Sequence, residues 1–262
     1  MMQRYALQLD DNLLQFCDYG GHILSWHCQG RERLFLSQKA KFEAGTAIRG
    51  GIPIIFPQFS NRGPLPRHGF ARTQYWQVLQ CEGAQAHLRL RDNAQTKKIL
   101  PQAFVADLFI ELKPSQLQLT LQITNSGDDV FDFTSALHSY LAVSDIATVQ
   151  VSGLQTCSYE DALSKKRRLA DDDVLRFERE VDRIYQCNQT VLHDGEQQLQ
   201  LHGDGFDDSV IWNPHAATTA TINDLGADEW RRFVCIEAAN VMTKIVLPPG
   251  AQSSASHTLT VV

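Results

Sequence analysis

Residues 117–124 read Leu-Gln-Leu-Thr-Leu-Gln-Ile-Thr, with apolar and polar side chains in strict alternation. A period of two puts Leu117, Leu119, Leu121 and Ile123 on one face of a strand and the Gln and Thr side chains on the other. Asn125-Ser126-Gly127-Asp128 follows as a turn. Shorter strand-like stretches recur at 5–9, 13–17, 23–28, 34–36, 75–80, 87–91, 104–112, 130–143, 148–151, 181–187, 197–201, 209–212, 233–237, 243–247 and 258–262. Helical patterning is confined to 160–163 and 227–230, each about one turn and too short to hold without packing. The pattern predicts an all-β chain, a large antiparallel sandwich or barrel with few short helices. No repeat, low-complexity tract or linker divides it, so residues 1–262 read as one domain.

One stretch breaks the pattern. Residues 48–76 carry Gly50, Gly51, Gly63 and Gly69 together with Pro53, Pro57, Pro64 and Pro66. Such a run holds no regular helix and interrupts a central strand. Ile52, Ile54, Ile55, Phe56, Phe59 and Phe70 nevertheless demand burial, so the stretch reads as an ordered loop lying on the core. It carries Arg49, Arg62, Arg67, Arg72 and His68 and no acidic residue, while the whole chain has a formal net charge of -6. A cationic loop on an acidic protein suits a small anionic ligand, and the overall charge argues against nucleic acid and anionic membranes as partners.

The six cysteines are scattered with no CxxC pair, the N-terminal residues lack a signal-peptide apolar core, and no run is long and apolar enough for a membrane helix. A cytoplasmic protein with free thiols is expected. His22, His27 and Cys28 lack the spacing of a zinc motif. Walker A, Gly-x-Gly-x-x-Gly and Gly-x-Ser-x-Gly signatures are absent, which argues against nucleotide-dependent enzymes and α/β-hydrolases.

Two side chains stand out in apolar strands. His138 lies in Ala136-Leu137-His138-Ser139-Tyr140-Leu141 and reads either as a core histidine or as a general acid or base at a pocket wall. Glu237 ends the apolar run 233–237, where a carboxylate costs free energy unless it is paired or faces a cavity. Asp182 alternates with apolar neighbours and either points into a cleft or pairs with Arg183; Asp208 either supports a site or shapes the turn before its strand. Arg49 and Arg72 sit among small or apolar residues, with a salt bridge to Asp132 or Glu43 as the plain alternative for such an arginine. Arg62 and Arg67 read as exposed loop charges, and Lys165-Lys166-Arg167-Arg168 as a solvated surface loop. Together these residues suit acid–base chemistry on a small anionic polar ligand.

The blocks Arg49-Gly50-Gly51-Ile52-Pro53, Phe56-Pro57, His68-Gly69-Phe70-Ala71-Arg72 and Trp76 resemble those of the hexose-6-phosphate mutarotases in the aldose 1-epimerase superfamily. The likeness continues in order through Leu137-His138-Ser139-Tyr140, Val181-Asp182-Arg183-Ile184-Tyr185, the run 208–214, the run 235–241 and Leu247-Pro248-Pro249-Gly250. The resemblance implies a large β-sandwich of the galactose mutarotase-like type, a monomer acting on a small sugar phosphate without metal or cofactor. It implies His138 as general acid, Glu237 as general base, Arg49 and Arg72 as substrate-binding arginines with phosphate as their target, and Asp182 as a sugar-binding aspartate. Arg67 falls where the family often has glutamine; His68 belongs to the motif in a supporting role, as does Asp208. The chain departs from the family at Ala238-Ala239, where Pro-Gly is frequent, and at Gln58, where Trp is frequent. For this chemistry the imidazole is expected near its ordinary pKa of about 6.5 or raised by a nearby carboxylate. The rival readings are a mutarotase for unphosphorylated aldoses, a non-catalytic sugar-phosphate binding module, and a glycosidase with Asp182 or Asp208 as the second carboxylate beside Glu237.

Overall fold

The alternating stretch at 117–124 becomes the Gln116–Asn125 strand, in which Leu117, Leu119, Leu121 and Ile123 are all buried. The structure is a computed structural model, and it describes residues 2–171 and 173–262. Every paired strand in it is antiparallel. A nine-stranded sheet runs from Val174–Arg176 through Gln150–Ser152, Gln189–Asp194, Gln197–Asp204, Gln252–Val261, Gln116–Asn125, Phe104–Lys113 and Gln85–Arg91 to Gln77–Glu82. An eight-stranded sheet runs from Lys166–Leu169 through Ser158–Asp161, Val181–Tyr185, Asp208–Asn213, Phe233–Leu247 and Phe131–Leu137 to Ile54–Ile55, with Tyr140–Ala142 also paired to Phe233–Leu247. Strands Arg4–Leu9, Asn12–Cys17, Ile23–Cys28 and Arg31–Glu32 form a third, smaller sheet.

The main core lies between the two large sheets. Leu88, Leu108, Leu119, Leu201 and Leu259 from the nine-stranded sheet join one buried cluster with Leu137, Val181, Ile211, Ile236 and Ala238 from the eight-stranded sheet. Side chains of a strand alternate between its faces. The residues between these core positions therefore point out of the opposite face of the eight-stranded sheet, which becomes the floor of the site described below.

Several elements differ from the sequence-based expectation. Residues 160–163 do not form a helical turn: Glu160 and Asp161 belong to the Ser158–Asp161 strand, paired on both sides, because two strand partners outcompete a single unsupported turn. The 227–230 turn is a short 3-10 helix at Glu229–Arg232. The basic run is solvent-exposed as expected, but Lys166–Leu169 is a strand rather than a loop. The expected strands 233–237 and 243–247 are one continuous strand, Phe233–Leu247, whose pairing with Phe131–Leu137 shifts register between Phe133 and Ser135. The 130–143 stretch is split in two at His138 and Ser139. Strands Val174–Arg176 and Gln189–Asp194 and the helix His215–Thr219 carried no clear periodicity. Among the described residues no helix is long and apolar enough to cross a membrane.

The 48–76 loop is ordered on the core as its apolar content demands: Ile52, Ile54, Ile55, Phe56 and Phe70 are buried. The Phe56–Pro57 peptide is cis. The Phe56 carbonyl accepts hydrogen bonds from the Phe70 and Ala71 N–H groups at 3.0 and 3.2 Å, which brings the two ends of the loop together. Gly69 makes this approach feasible, since its φ is +66° and a Cβ there would lie 2.1 Å from the Phe56 oxygen. Gly69→Ala is expected to cost about 2 kcal/mol or more in a urea unfolding experiment. An unchanged midpoint would show that the loop yields without strain.

Candidate active site

Strand register builds the site. Leu137 pairs with Ala238 and Tyr140 with Cys235, so the same register sets His138 opposite Glu237. Glu237 in turn pairs with Val210, Cys235 with Trp212, and Trp212 with Asp182. Alternation then places His138, Tyr140, Glu237, Cys235, Trp212 and Asp182 on the face turned away from the main core. The break at His138 and Ser139 is closed by a tight turn, in which the Ser139 N–H donates to the Leu137 carbonyl at 3.0 Å, while the His138 N–H donates to the Pro53 carbonyl at 3.0 Å.

His138 is 7% exposed and Glu237 only 1%. His138 Nδ1 lies 3.3 Å from Glu237 Oε1, yet no hydrogen bond is made, and His138 Nδ1 and Glu237 Oε2 have no hydrogen-bond partner among the described residues. Burial, then His68, Arg72 and Arg49, hold the imidazole well below its ordinary pKa. Burial, then Asp182, hold the Glu237 carboxyl well above its ordinary value. Both shifts favour the neutral forms, so burial weakens the ion-pair character of the 3.3 Å contact. This direction runs against the expectation of an imidazole near or above its usual pKa: the loss of water, then His68 and the arginines, outweigh the nearby carboxyl.

The loop arginines approach the same place. Arg49 Nε donates to Asp224 Oδ1 at 3.1 Å and Nη1 to the Tyr140 hydroxyl at 2.9 Å. Tyr140 first, then Asp224, keep Arg49 above its ordinary pKa against the effect of burial. The expected alternative partner Asp132 pairs instead with Lys244. Arg72 Nη2 donates to the Arg67 carbonyl at 3.1 Å, and among the described residues it has no carboxylate partner. Burial, and then Arg49 and Arg67, lower Arg72 to about 10. A half-buried guanidinium beside two other cations, with no carboxylate in ion-pair contact among the described residues, is a site that an anion would stabilise. Arg67 itself is exposed. Arg62 is exposed, as expected of a loop charge, and pairs with Glu160 at 2.6 Å.

His68 bridges loop and sheet. Its ring lies 5.6 Å from that of His138 and packs edge-on against Phe59, and burial followed by Arg72 lowers it to about 2. It is thus a neutral hydrogen-bonding group. Asp182 is half-buried on the site face and does not pair with Arg183, which approaches Asp161 and Tyr185 instead. Burial, then Glu180, raise Asp182 to about 6. Asp208 serves the fold: one carboxylate oxygen accepts the Val241 and Met242 N–H groups at 2.7 and 2.8 Å, where the long strand bulges. Trp212, Tyr140 and Asp224 complete the site and were missed in the sequence. Tyr140 had a signal, because a residue two places from His138 on a strand shares its face; Asp224 lies in a loop with none.

No cluster of three or more His, Cys, Asp or Glu side chains is placed to hold a metal among the described residues. His22 contacts the Gly50 carbonyl and His27 contacts Glu32, so neither is directed at Cys28.

This architecture places the chain among the mutarotase-like β-sandwiches. A provisionally named mutarotase from Salmonella typhimurium superposes with a TM-score of 0.90 over 100% of this chain and 90% of that one, at 28% identity. The aldose 1-epimerase family model matches residues 3–260. A Cenchrus ciliaris protein provisionally named glucose-6-phosphate 1-epimerase is 38% identical over 252 residues, covering 89% of this chain and 77% of that protein. An Escherichia coli protein with the same provisional name is 33% identical over 235 residues, covering 86% and 78%. The chain belongs to the aldose 1-epimerase family, a family of isomerases.

Buried neutral histidines have a consequence for stability. His22, His68 and His257 are lowered to about 4, 2 and 3 respectively, burial being the main cause in each. Between these values and the unfolded value of about 6.5 the unfolded chain binds more protons, so stability falls as pH falls. Lowering pH from 7.5 to 5.5 is expected to cost about 1 kcal/mol per buried histidine. The raised carboxyls of Asp182 and Glu237 offset part of this, because they favour the folded state as they take up protons. Urea midpoints at the two pH values test the sign; a higher midpoint at pH 5.5 would contradict it.

Proposed function

We propose that the protein interconverts the α and β anomers of hexose 6-phosphates, glucose 6-phosphate being the expected substrate, with Glu237 and His138 as the acid–base pair. The observation that carries this reading is a buried carboxyl and imidazole 3.3 Å apart, beside an arginine with no carboxylate in ion-pair contact. A cyclic aldose is a hemiacetal. As carboxylate, Glu237 takes the proton of the C1 hydroxyl, and His138 as imidazolium gives a proton to the ring oxygen. The C1–O5 bond breaks to an open-chain aldehyde, rotation about C1–C2 presents the other carbonyl face, and closure returns both protons. The pair ends with the proton count it began with, so no cofactor is required by this route. Each group is asked for about a hundredfold or more in rate.

Arg72 and Arg49, with Arg67 at the rim, are assigned to the phosphate, where bidentate contacts fix the sugar against the pair. Asp182 is assigned to a sugar hydroxyl, and neutral His68 to a supporting hydrogen bond. The names of the relatives at 38% and 33% identity support the phosphorylated substrate over free aldoses. The two-carboxylate glycosidase reading is the weaker one, since Asp208 is committed to backbone amides.

Anomer exchange followed by NMR is expected to be faster for glucose 6-phosphate than for glucose. Glu237→Gln is expected to lower the rate about a hundredfold or more. Normal exchange in that variant would sink the assignment of Glu237. Arg72→Ala is expected to lower the ratio of phosphorylated to free-sugar activity; an unchanged ratio would remove Arg72 from the phosphate site.

A further inference from the structure

Tyr140 lies between the loop arginines and the acid–base pair, and the mechanism above gives it no task. It is 2% exposed. Its ring stacks on His138 with centroids 4.8 Å apart and planes 7° from parallel. Its hydroxyl oxygen accepts a hydrogen bond from Arg49 Nη1 at 2.9 Å, and Asp224 holds the other side of that guanidinium at 3.1 Å. The backbone is pinned as well: the Tyr140 N–H donates to the Gly51 carbonyl, and the Tyr140 carbonyl accepts the Phe35 N–H, both at 2.9 Å. Trp212 and Phe233 pack against the ring at 6.1 and 5.3 Å. Among the described residues the Tyr140 O–H donates to no group, which leaves one oriented donor at the site face.

We propose that Tyr140 is a positioning residue that couples an anion held by Arg49 to the imidazole of His138, so that the substrate's own phosphate completes the catalytic pair. The inference rests on the sugar-phosphate reading above.

The physical argument has two parts. A phenol ring stacked face-on stabilises an imidazolium more than an imidazole, because the ring face carries negative charge. Arg49 works against this, both through its charge and by drawing density from the phenol through its hydrogen bond. An anion on Arg49 and Arg72 cancels that charge and relaxes the draw on the ring. The proton His138 then takes moves from the Glu237 carboxyl within the pair, leaving the carboxylate and the imidazolium that ring opening requires. No outside donor is needed. The titratable and charged groups facing His138 are Glu237 on the long strand, His68 and Arg72 from the loop, Arg49 and Tyr140.

The test compares glucose 6-phosphate and glucose by NMR exchange between pH 5 and 9, in the wild type and in Tyr140→Phe, which keeps the stack and removes the hydroxyl. In the wild type the pH midpoint of kcat is expected to differ by about one unit between the two sugars, a tenfold change in proton affinity. In Tyr140→Phe that difference is expected to collapse, with kcat for the phosphate ester falling about tenfold and KM changing less. Wild-type midpoints and wild-type kcat in the variant would overturn the role, leaving Tyr140 as packing alone. If circular dichroism shows that the variant does not fold, the wild type decides: inorganic phosphate added to glucose is expected to accelerate exchange saturably with the same midpoint shift, and no acceleration would overturn the coupling. A wild type that handles glucose as fast as its 6-phosphate would sink the sugar-phosphate reading together with the inference. A retained preference with unmoved midpoints sinks only the role of Tyr140.

Discussion

The strand register that sets His138 opposite Glu237 is the constraint on which the site depends. One register, fixed at Leu137 with Ala238 and at Tyr140 with Cys235, sends alternate residues into the core and the residues between them onto the open face. Leu137, Ile236 and Ala238 anchor the sheet from below, so a slip of one residue would turn His138 and Glu237 into the main core and the core residues out of it. The chemistry is thus held by the same packing that holds the fold.

Burial on a sheet face also sets the electrostatics. Water is largely excluded from both groups, and burial with arginines nearby pushes the imidazole toward its neutral form while burial near Asp182 pushes the carboxyl toward its protonated form. A charged pair would require the arginine field to be offset. Arg49 makes an ion pair with Asp224, whereas Arg72 makes none with a carboxylate among the described residues, and this asymmetry marks Arg72 as the place where an incoming anion gains most. The loop can bring these cations over the sheet because its apolar residues are buried and Gly69 allows its ends to meet at the Phe56 carbonyl.

Much of the fold was legible in the chain. The alternation at 117–124 gave the correct buried face, and most strands fell near their expected places because each half-buried strand writes its own period of two. The loop, its burial and its cationic character were also readable. Errors arose where long-range pairing decided the outcome. Residues 160–163 became strand because they gained two partners, and 233–247 became one strand because its bulge is held by Asp208 on a neighbouring strand.

The sequence by itself determined the all-β class, the cationic loop, and the presence of a histidine and a glutamate in strands too apolar for either to lie there without reason. These follow from local composition and periodicity, which a linear chain carries in full. Only the tertiary structure decided that His138 and Glu237 face each other, that Arg49 spends its contacts on Asp224 and Tyr140, and that Asp208 serves a bulge. It also set the direction of the His138 shift, which is downward. Pairings between residues far apart in the chain, and the desolvation they impose, have no local signature, because they arise only when the strands that carry them are brought together.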